Sequence, residues 1–395
     1  MPPLKFADLP RPDYDGGGLL NLMASIIIGR GGRSPHRTLV GLPPEDIRRW
    51  PKLALLVIDG LGADQLNRFV TRGKGPRFFA RHPWQVISTV CPATTAAAVT
   101  TLATGSSPLE HAMLGWHQLF SDLGMVATPL PFVTRTDTPL APPDFPLERY
   151  LGIPAPLATI PGRRVLISHG DIPISRTSLA QPWWTQRHAF QTLGGLTRHL
   201  QAFARSPVRG YAYAYWPTYD SLCHRYGPHG RPPARHLAEI DAALARIETA
   251  LAGTNTLLLI TADHGFMHSP NHLNLAHVPG LYDTLTVLPS GDSRMVQCHV
   301  RPAQVQNFLN LTRTPPLSQH AICVPGPTVL RSGLLGPGKP HPALAQRLGD
   351  YVLFAVPGSA FLYPPAMAKQ QRLKAGNHGG LSHDELRIPL YTIHP

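Results

Sequence analysis

Two short apolar runs, each stopping on a carboxylate, constrain this chain most. Leu53-Ala-Leu-Leu-Val-Ile58 runs into Asp59-Gly60, and Leu257-Leu-Leu-Ile260 runs into Thr261-Ala262-Asp263-His264-Gly265. A third run, Val165-Leu-Ile167, ends in Ser168-His169-Gly170. Unbroken apolar runs of this length fit strands buried on both faces, as in a parallel sheet. Tyr211 to Trp216 is aromatic-rich and alternating, and it leads into Asp220. Between the runs, Leu237, Ile240, Ala243, Leu244, Ile247 and Leu251 recur at helical spacing, with Gly253 as a stop. This predicts a helix over 234–251. Strand and helix in alternation predict a doubly wound α/β fold, with a mostly parallel central sheet and helices on both faces. Sites in such sheets lie at the carboxyl ends of the strands. Asp59, Asp220, Asp263 and His264 fall there, and a carboxylate in that position is costly to bury unless something positive meets it.

Two stretches fit the alternation poorly. Residues 121–160 are rich in Pro and Thr, and residues 268–370 are Pro/Gly-rich with strand-like runs at 295–300 and 351–356. The second reads as a smaller cap inserted into a core formed by 1–267 and 371–395. Proline pairs such as Pro43-Pro44, Pro142-Pro143 and Pro232-Pro233 read as stiffeners of loops between elements.

With 395 residues and 43% hydrophobic composition, the chain can build a sizeable core. Its net charge of +13 suits anionic partners, including phosphorylated substrates. No run of five basic residues, zinc-finger spacing or RNA-binding signature accompanies that charge, so a generally basic solvated surface is favoured over a nucleic-acid stripe. Cys91, Cys223, Cys298 and Cys323 are scattered and form no CxxC, so they are expected to be reduced, which suits a cytoplasmic protein. The N-terminus has no apolar signal region. The apolar stretch 19–28 is too short to span a bilayer and reads as a packed helix. The expectation is therefore a soluble protein without a membrane span.

The chemistry lies in four local patterns. Asp220-Ser-Leu-Cys-His224 places a carboxylate and an imidazole on one face if the segment is helical, and both are good ligands for Zn²⁺ or Mn²⁺. Asp263-His264-Gly265 offers two adjacent ligands after a buried strand. Gly376-Asn377-His378-Gly379-Gly380 sets a histidine among small residues, where backbone can approach a ligand. The Ala-rich stretch from Ala96 predicts a helix with Thr94 or Thr95 at its N-terminus. A hydroxyl there serves as an N-cap, or as a nucleophile where the helix end stabilises an anion and a metal activates it.

Taken in order, these patterns resemble the alkaline phosphatase superfamily, nearest in pattern to the type I phosphodiesterase/nucleotide pyrophosphatase branch. The Asp-x-x-x-His-x-x-Gly-Pro element stands in full as Asp220, His224, Gly227 and Pro228. Counting back from Thr104-Gly105 selects Thr95 over Thr94 as the nucleophile, and Pro108 and His111 continue the pattern. The resemblance runs from about residue 53 to the C-terminus. It implies an alkaline-phosphatase-like fold and two divalent metal ions, Zn²⁺ before Mn²⁺. One would be held by Asp220, His224 and His378, the other by Asp59, Asp263, His264 and the Thr95 oxygen. It implies hydrolysis of a small-molecule phosphoester through a phospho-threonine on Thr95, as a phosphodiesterase or nucleotide pyrophosphatase.

One departure concerns specificity. In register, Trp116 stands where nucleotide pyrophosphatases carry a phosphate-binding Asn, with Gly115 before it and His117 after it. An indole donates one hydrogen bond and accepts none. The alternatives within the superfamily are therefore a phosphomonoesterase, a phosphonate hydrolase or a phosphomutase. A sulfatase is disfavoured, because Cys91-Pro92-Ala93 lacks the Cys-x-Pro-x-Arg arrangement. From another class, a nucleic-acid or anionic-surface binding protein with structural metals would not need a nucleophile. The leaving-group pocket is expected within 121–160 and 268–370. His169, His268, His272 and His383 lie near motif loops and read as ordinary surface or packing histidines.

Overall fold

The computed structural model describes residues 4–72, 78–142, 144–172, 175–363 and 373–394. The boundary expected at 370/371 and Pro143 lie outside the described residues. The main sheet has seven strands. Their order across the sheet is Trp84–Ser88, Arg387–Ile393, Thr256–Thr261, Lys52–Ile58, Gly210–Trp216, Arg163–His169 and Gln186–Phe190. The five strands from Thr256–Thr261 to Gln186–Phe190 pair in parallel. Arg387–Ile393 runs antiparallel to both its neighbours.

The unbroken apolar runs lie where burial on both faces demands them. Every residue of Lys52–Ile58, Gly210–Trp216 and Thr256–Thr261 is buried. Alternation in Gly210–Trp216 therefore does not mark an exposed face; it alternates tyrosine with alanine, large with small, between two packed layers. Lys52, at the start of its strand, donates from Nζ to the carbonyls of Ala204 and Ser206.

The helix expected over 234–251 spans Arg231–Leu251. Pro232 and Pro233 thus sit in its first turn and not in a loop. First-turn N–H groups have no partner within the helix, so proline costs nothing there. Pro44 opens the short Pro44–Arg48 helix in the same way. The apolar stretch near the N-terminus forms the Leu19–Gly29 helix, almost wholly buried. No helix among the described residues is long and apolar enough to cross a membrane. All four cysteines are free.

Residues 290–355 carry a separate antiparallel sheet ordered Ser290–Asp292, Met295–Cys298, Tyr351–Ala355, Ala321–Pro325. Period-two alternation splits its side chains between two cores. Met295, Val352 and Phe354 pack with Cys91, Ala93 and Leu114 from the main sheet's connections. Val296, Cys298, Leu353 and Ala355 pack with Leu275, Leu281 and Phe308 on the other side. Arg294 joins this sheet to the C-terminal segment. It is buried, with Nε 2.7 Å from Glu385 Oε1 and Nη1 donating to the Ser359 carbonyl. Burial alone would raise the Glu385 carboxyl. Arg294, Ser382 and the Gly380 amide instead hold it below the ordinary carboxylate range. Arg294→Met leaves that charge buried without its partner, so urea denaturation is expected to show a loss of roughly 3–5 kcal/mol. A loss under about 1 kcal/mol would mean that the pair does not anchor the Gly379-Gly380 turn.

Candidate active site

Asp59 follows the last residue of its strand, and its amide continues the ladder by donating to the Trp216 carbonyl at 3.0 Å. Gly60 then turns with φ +76°, and a Cβ there would stand 2.5 Å from the Phe266 ring. Only glycine fits that turn. Asp263 leaves its neighbouring strand alongside. Its Oδ1 accepts the Gly60 and His264 amides, each at 3.0 Å, which leaves Oδ2 free. Asp59 is divided likewise, with Oδ2 accepting the Tyr215 hydroxyl.

Asp220 and His224 lie on the Thr218–Tyr226 helix, whose i, i+4 geometry brings Oδ1 and Nε2 to 3.6 Å. His378 arrives from the glycine-rich turn, its Nε2 3.6 Å from Asp220 Oδ1 and 3.1 Å from His224 Nε2. His264 Nε2 lies 3.5 Å from both Asp59 Oδ1 and Asp263 Oδ2. Its ring stacks on His378 with centroids 3.8 Å apart. The donor atoms of Asp59, Asp263 and His264 fall within 4.8 Å of one another, as do those of Asp220, His264 and His378. His264 thus links two adjoining clusters. All six side chains singled out from the sequence meet at one place.

The helix spans Thr95–Thr104, with Thr94 at the N-cap. Thr94 makes no side-chain cap; its hydroxyl donates to Asp292 Oδ2 instead. Thr95 is half-buried, with Oγ1 3.1 Å from His264 Nε2. The two candidate hydroxyls are therefore separated by their partners. Thr94 ties its helix to the second sheet, and Thr95 faces the clusters.

This donor set fits divalent cations. Asp59 Oδ1, Asp220 Oδ1 and Asp263 Oδ2 are buried oxygens with no hydrogen-bond partner. Each histidine Nδ1 meets a backbone carbonyl: His224 that of Gly376, His264 that of Gly265 and His378 that of Ala93. A carbonyl can only accept, so each Nδ1 carries the proton and each Nε2 turns a lone pair inward. Two such lone pairs face each other at 3.1 Å between His224 and His378. Orphaned carboxylate oxygens and opposed lone pairs are stable together only around positive charge. Burial, followed by Asp263 and Asp220, raises the Asp59 carboxyl well above its ordinary value. Burial also lifts Asp220 to about 6 and holds the His224 and His378 imidazoles well below their ordinary range.

Three further residues belong here that local patterns do not reveal. Tyr215 anchors Asp59, Asp292 anchors Thr94, and Lys374 places Nζ 3.3 Å from His224 Nε2. Tyr215 had a signal in the aromatic alternation; Asp292 and Lys374 lie in segments without a motif. Tyr215→Phe removes the donor to a buried carboxylate oxygen. Metal-free protein is expected to lose roughly 1–3 kcal/mol in urea denaturation; no loss would show that Asp59 is held by other means. His117 is half-buried, and desolvation lowers it to about 3, with Arg135 and Lys374 adding to the shift. His111 bonds Thr101 Oγ1 at 3.1 Å and supports the helix from within. His169 packs edge-on against Phe190 and Trp216.

A cavity of about 370 Å³ opens beside Thr95, Asp59 and Asp220. Its walls come mainly from 166–184 and 213–221, with Trp116, Leu130 and Pro131. Of the segments 121–160 and 268–370, where a leaving-group pocket is expected, Leu130 and Pro131 line this cavity among the described residues. The carboxyl ends of the parallel strands contribute Leu166, Ser168, Tyr213 and Tyr215, and the segments that follow them contribute most of the rest, as an open α/β sheet dictates.

The sequence profile of the type I phosphodiesterase / nucleotide pyrophosphatase family matches residues 158–381, more than half of the chain. No curated protein sequence matches. Among solved structures, murine ectonucleotide pyrophosphatase / phosphodiesterase 5 superposes with a TM-score of 0.62 at 14% identity, over 86% of this chain and 87% of that chain. An inactive variant of that murine protein is solved in complex with AMP. Phosphonoacetate hydrolase from Sinorhizobium meliloti 1021, in complex with phosphonoformate, superposes with a TM-score of 0.59 at 16% identity, over 87% of this chain and 90% of that chain. These structural likenesses are of fold.

Proposed function

The chain belongs to the type I phosphodiesterase / nucleotide pyrophosphatase family, and from that premise we propose that it hydrolyses phosphodiesters through Thr95. Asp59, Asp263 and His264 would hold one divalent cation and Asp220, His224 and His378 the other. Mixed carboxylate and imidazole donors favour Zn²⁺, with Mn²⁺ as the alternative. The observation that carries this reading is Thr95 Oγ1 at a helix N-terminus, 3.1 Å from His264 Nε2, beside three buried carboxylate oxygens that lack partners.

When bound, the cations supply Lewis acidity to the hydroxyl and to the phosphoryl oxygens. The protein's own groups do the rest. Thr95 gives up its hydroxyl proton to solvent and Oγ1 attacks phosphorus, so one bond forms as the bond to the leaving oxygen breaks and that oxygen leaves as an anion or takes a proton from water. The first-turn amides of the Thr95–Thr104 helix face the charge that develops. Water then attacks the phospho-threonine and the Thr95 oxygen leaves as an alcohol. Asp292 keeps Thr94 engaged and so fixes the helix end from which Thr95 projects.

Lys374 favours a second reading, hydrolysis of a monoester or phosphonate. It brings a positive charge beside His224, where a dianionic phosphoryl group would carry one more negative charge than a diester. The test is a substrate panel at matched metal loading, comparing mono- and diesters of one nitrophenol with a phosphonate. Diester turnover exceeding the others supports the first reading, and monoester or phosphonate preference supports the second. No turnover of any of them sinks both.

A further inference from the structure

The cavity beside Thr95 is asymmetric in its chemistry. At about 370 Å³ it lies at the small end of the roughly 300–1,000 Å³ typical of small-molecule sites. Its lining among the described residues includes no lysine, arginine or histidine. The positive charge of Lys374 lies instead beside His224. The walls are apolar and aromatic. Trp184 stacks on Tyr213 with centroids 5.9 Å apart, Leu166 and Val99 line the interior, and Trp116 lines it with an indole that is 44% exposed. The segment that carries Trp116 is pinned, because His117 exchanges backbone hydrogen bonds with Gly291 at 3.0 and 2.6 Å.

Several polar groups on the walls are already spent. Thr177 Oγ1 donates to the carbonyls of Pro129 and Leu130. Gln181 Oε1 accepts Trp184 Nε1 at 2.8 Å, and Ser175 Oγ meets Ser178 Oγ at 3.1 Å. Ser168 Oγ and the Tyr213 hydroxyl are buried on the wall without a partner. An anionic occupant would lose hydration with no cationic side chain to meet it, and a nucleoside would leave most of its heteroatoms unpaired. An uncharged aromatic group fits the rings and asks little of the polar atoms.

We propose that this cavity selects phosphoesters whose retained ester group is an uncharged aromatic of one or two rings, stacked on Trp116 and Trp184. The proposal rests on the reading of Thr95 as the nucleophile and names the substrate class for that site. Trp116 thereby acquires a role at the position where the resemblance led to a phosphate-binding amide.

The test uses the full chain loaded with Zn²⁺ and three 4-nitrophenyl phosphodiesters whose second ester group is methyl, phenyl or 5′-thymidyl. All three release the same nitrophenolate. In parallel, methylphosphonate and phenylphosphonate binding is measured by titration calorimetry. We expect kcat/KM for the phenyl ester to exceed both others by about tenfold or more, and phenylphosphonate to bind about tenfold more tightly than methylphosphonate. Trp116→Ala should cut the phenyl-to-methyl ratio to about threefold or less, and Trp116→Phe should restore it. Equal use of methyl and phenyl esters, or preference for the thymidyl ester, overturns the proposal. If no ester is turned over while phenylphosphonate keeps its advantage, the hydrolase reading fails and the pocket assignment stands. If the two phosphonates also bind equally, the pocket assignment fails as well.

Discussion

Thr95→Ala is expected to lower kcat on the order of 10³-fold or more while the protein keeps its metal content. The side chain lost is the one hydroxyl 3.1 Å from His264 Nε2, at the mouth of both carboxylate–histidine clusters. Its neighbour cannot substitute, because the Thr94 hydroxyl is committed to Asp292 Oδ2. Thr94→Val should therefore have the smaller effect, acting through the position of the helix end. Steady-state kinetics with elemental analysis on both variants separates the roles. Full turnover by Thr95→Ala would remove it as nucleophile, and a larger loss in Thr94→Val would exchange the assignments.

Removal of metal is expected to abolish turnover and to destabilise the protein in a pH-dependent way. The site buries three carboxyl groups whose free oxygens have no protein partner. Burial raises Asp59 well above its ordinary value and Asp220 to about 6. A carboxyl raised in the folded state stabilises the fold while protonated. That contribution is present below the ordinary carboxyl range near 4 and is lost as pH rises through about 6 at Asp220. These carboxyls therefore penalise metal-free protein at pH 8 relative to pH 5, while the depressed His224 and His378 imidazoles act in the opposite sense toward pH 5. Metal binding needs ionised carboxylates and neutral imidazoles, so it releases protons and strengthens as pH rises. This proton release makes the metal-induced rise in Tm largest at pH 8 and smaller toward pH 5. Free metal at a hundred times its Kd contributes about 2.7 kcal/mol. Thermal unfolding of chelated and reconstituted protein across that range checks this. A metal-induced rise that grows toward pH 5 would contradict carboxylate ligation, and undiminished turnover after full chelation would contradict the metal requirement.

The core of the site was legible because its parts are local. Asp59 and Asp263-His264 end buried strands, so the apolar runs point at them. Asp220 and His224 share a helix face through a four-residue spacing, and His378 is marked by the glycines around it. What escaped the sequence depends on contacts between distant segments. Tyr215 meets Asp59 because their strands are neighbours in the sheet. Asp292 reaches Thr94 only because the second sheet packs beside the helix, and Lys374 reaches His224 across 150 residues. Composition points to the irregular segments for a leaving-group pocket, whereas the cavity beside Thr95 is lined largely by strand ends and the segments that follow them. Proline was also misleading at 232–233, where composition suggests a loop and the first turn of a helix accommodates both residues.

The two-cation assignment is tested most directly by anomalous diffraction at the zinc edge from crystals of the active, zinc-loaded protein. Two peaks per chain are expected, one among Asp59, Asp263 and His264 next to Thr95, the other among Asp220, His224 and His378. A single peak, or peaks lying away from these side chains in protein that turns over phosphoester, would contradict it.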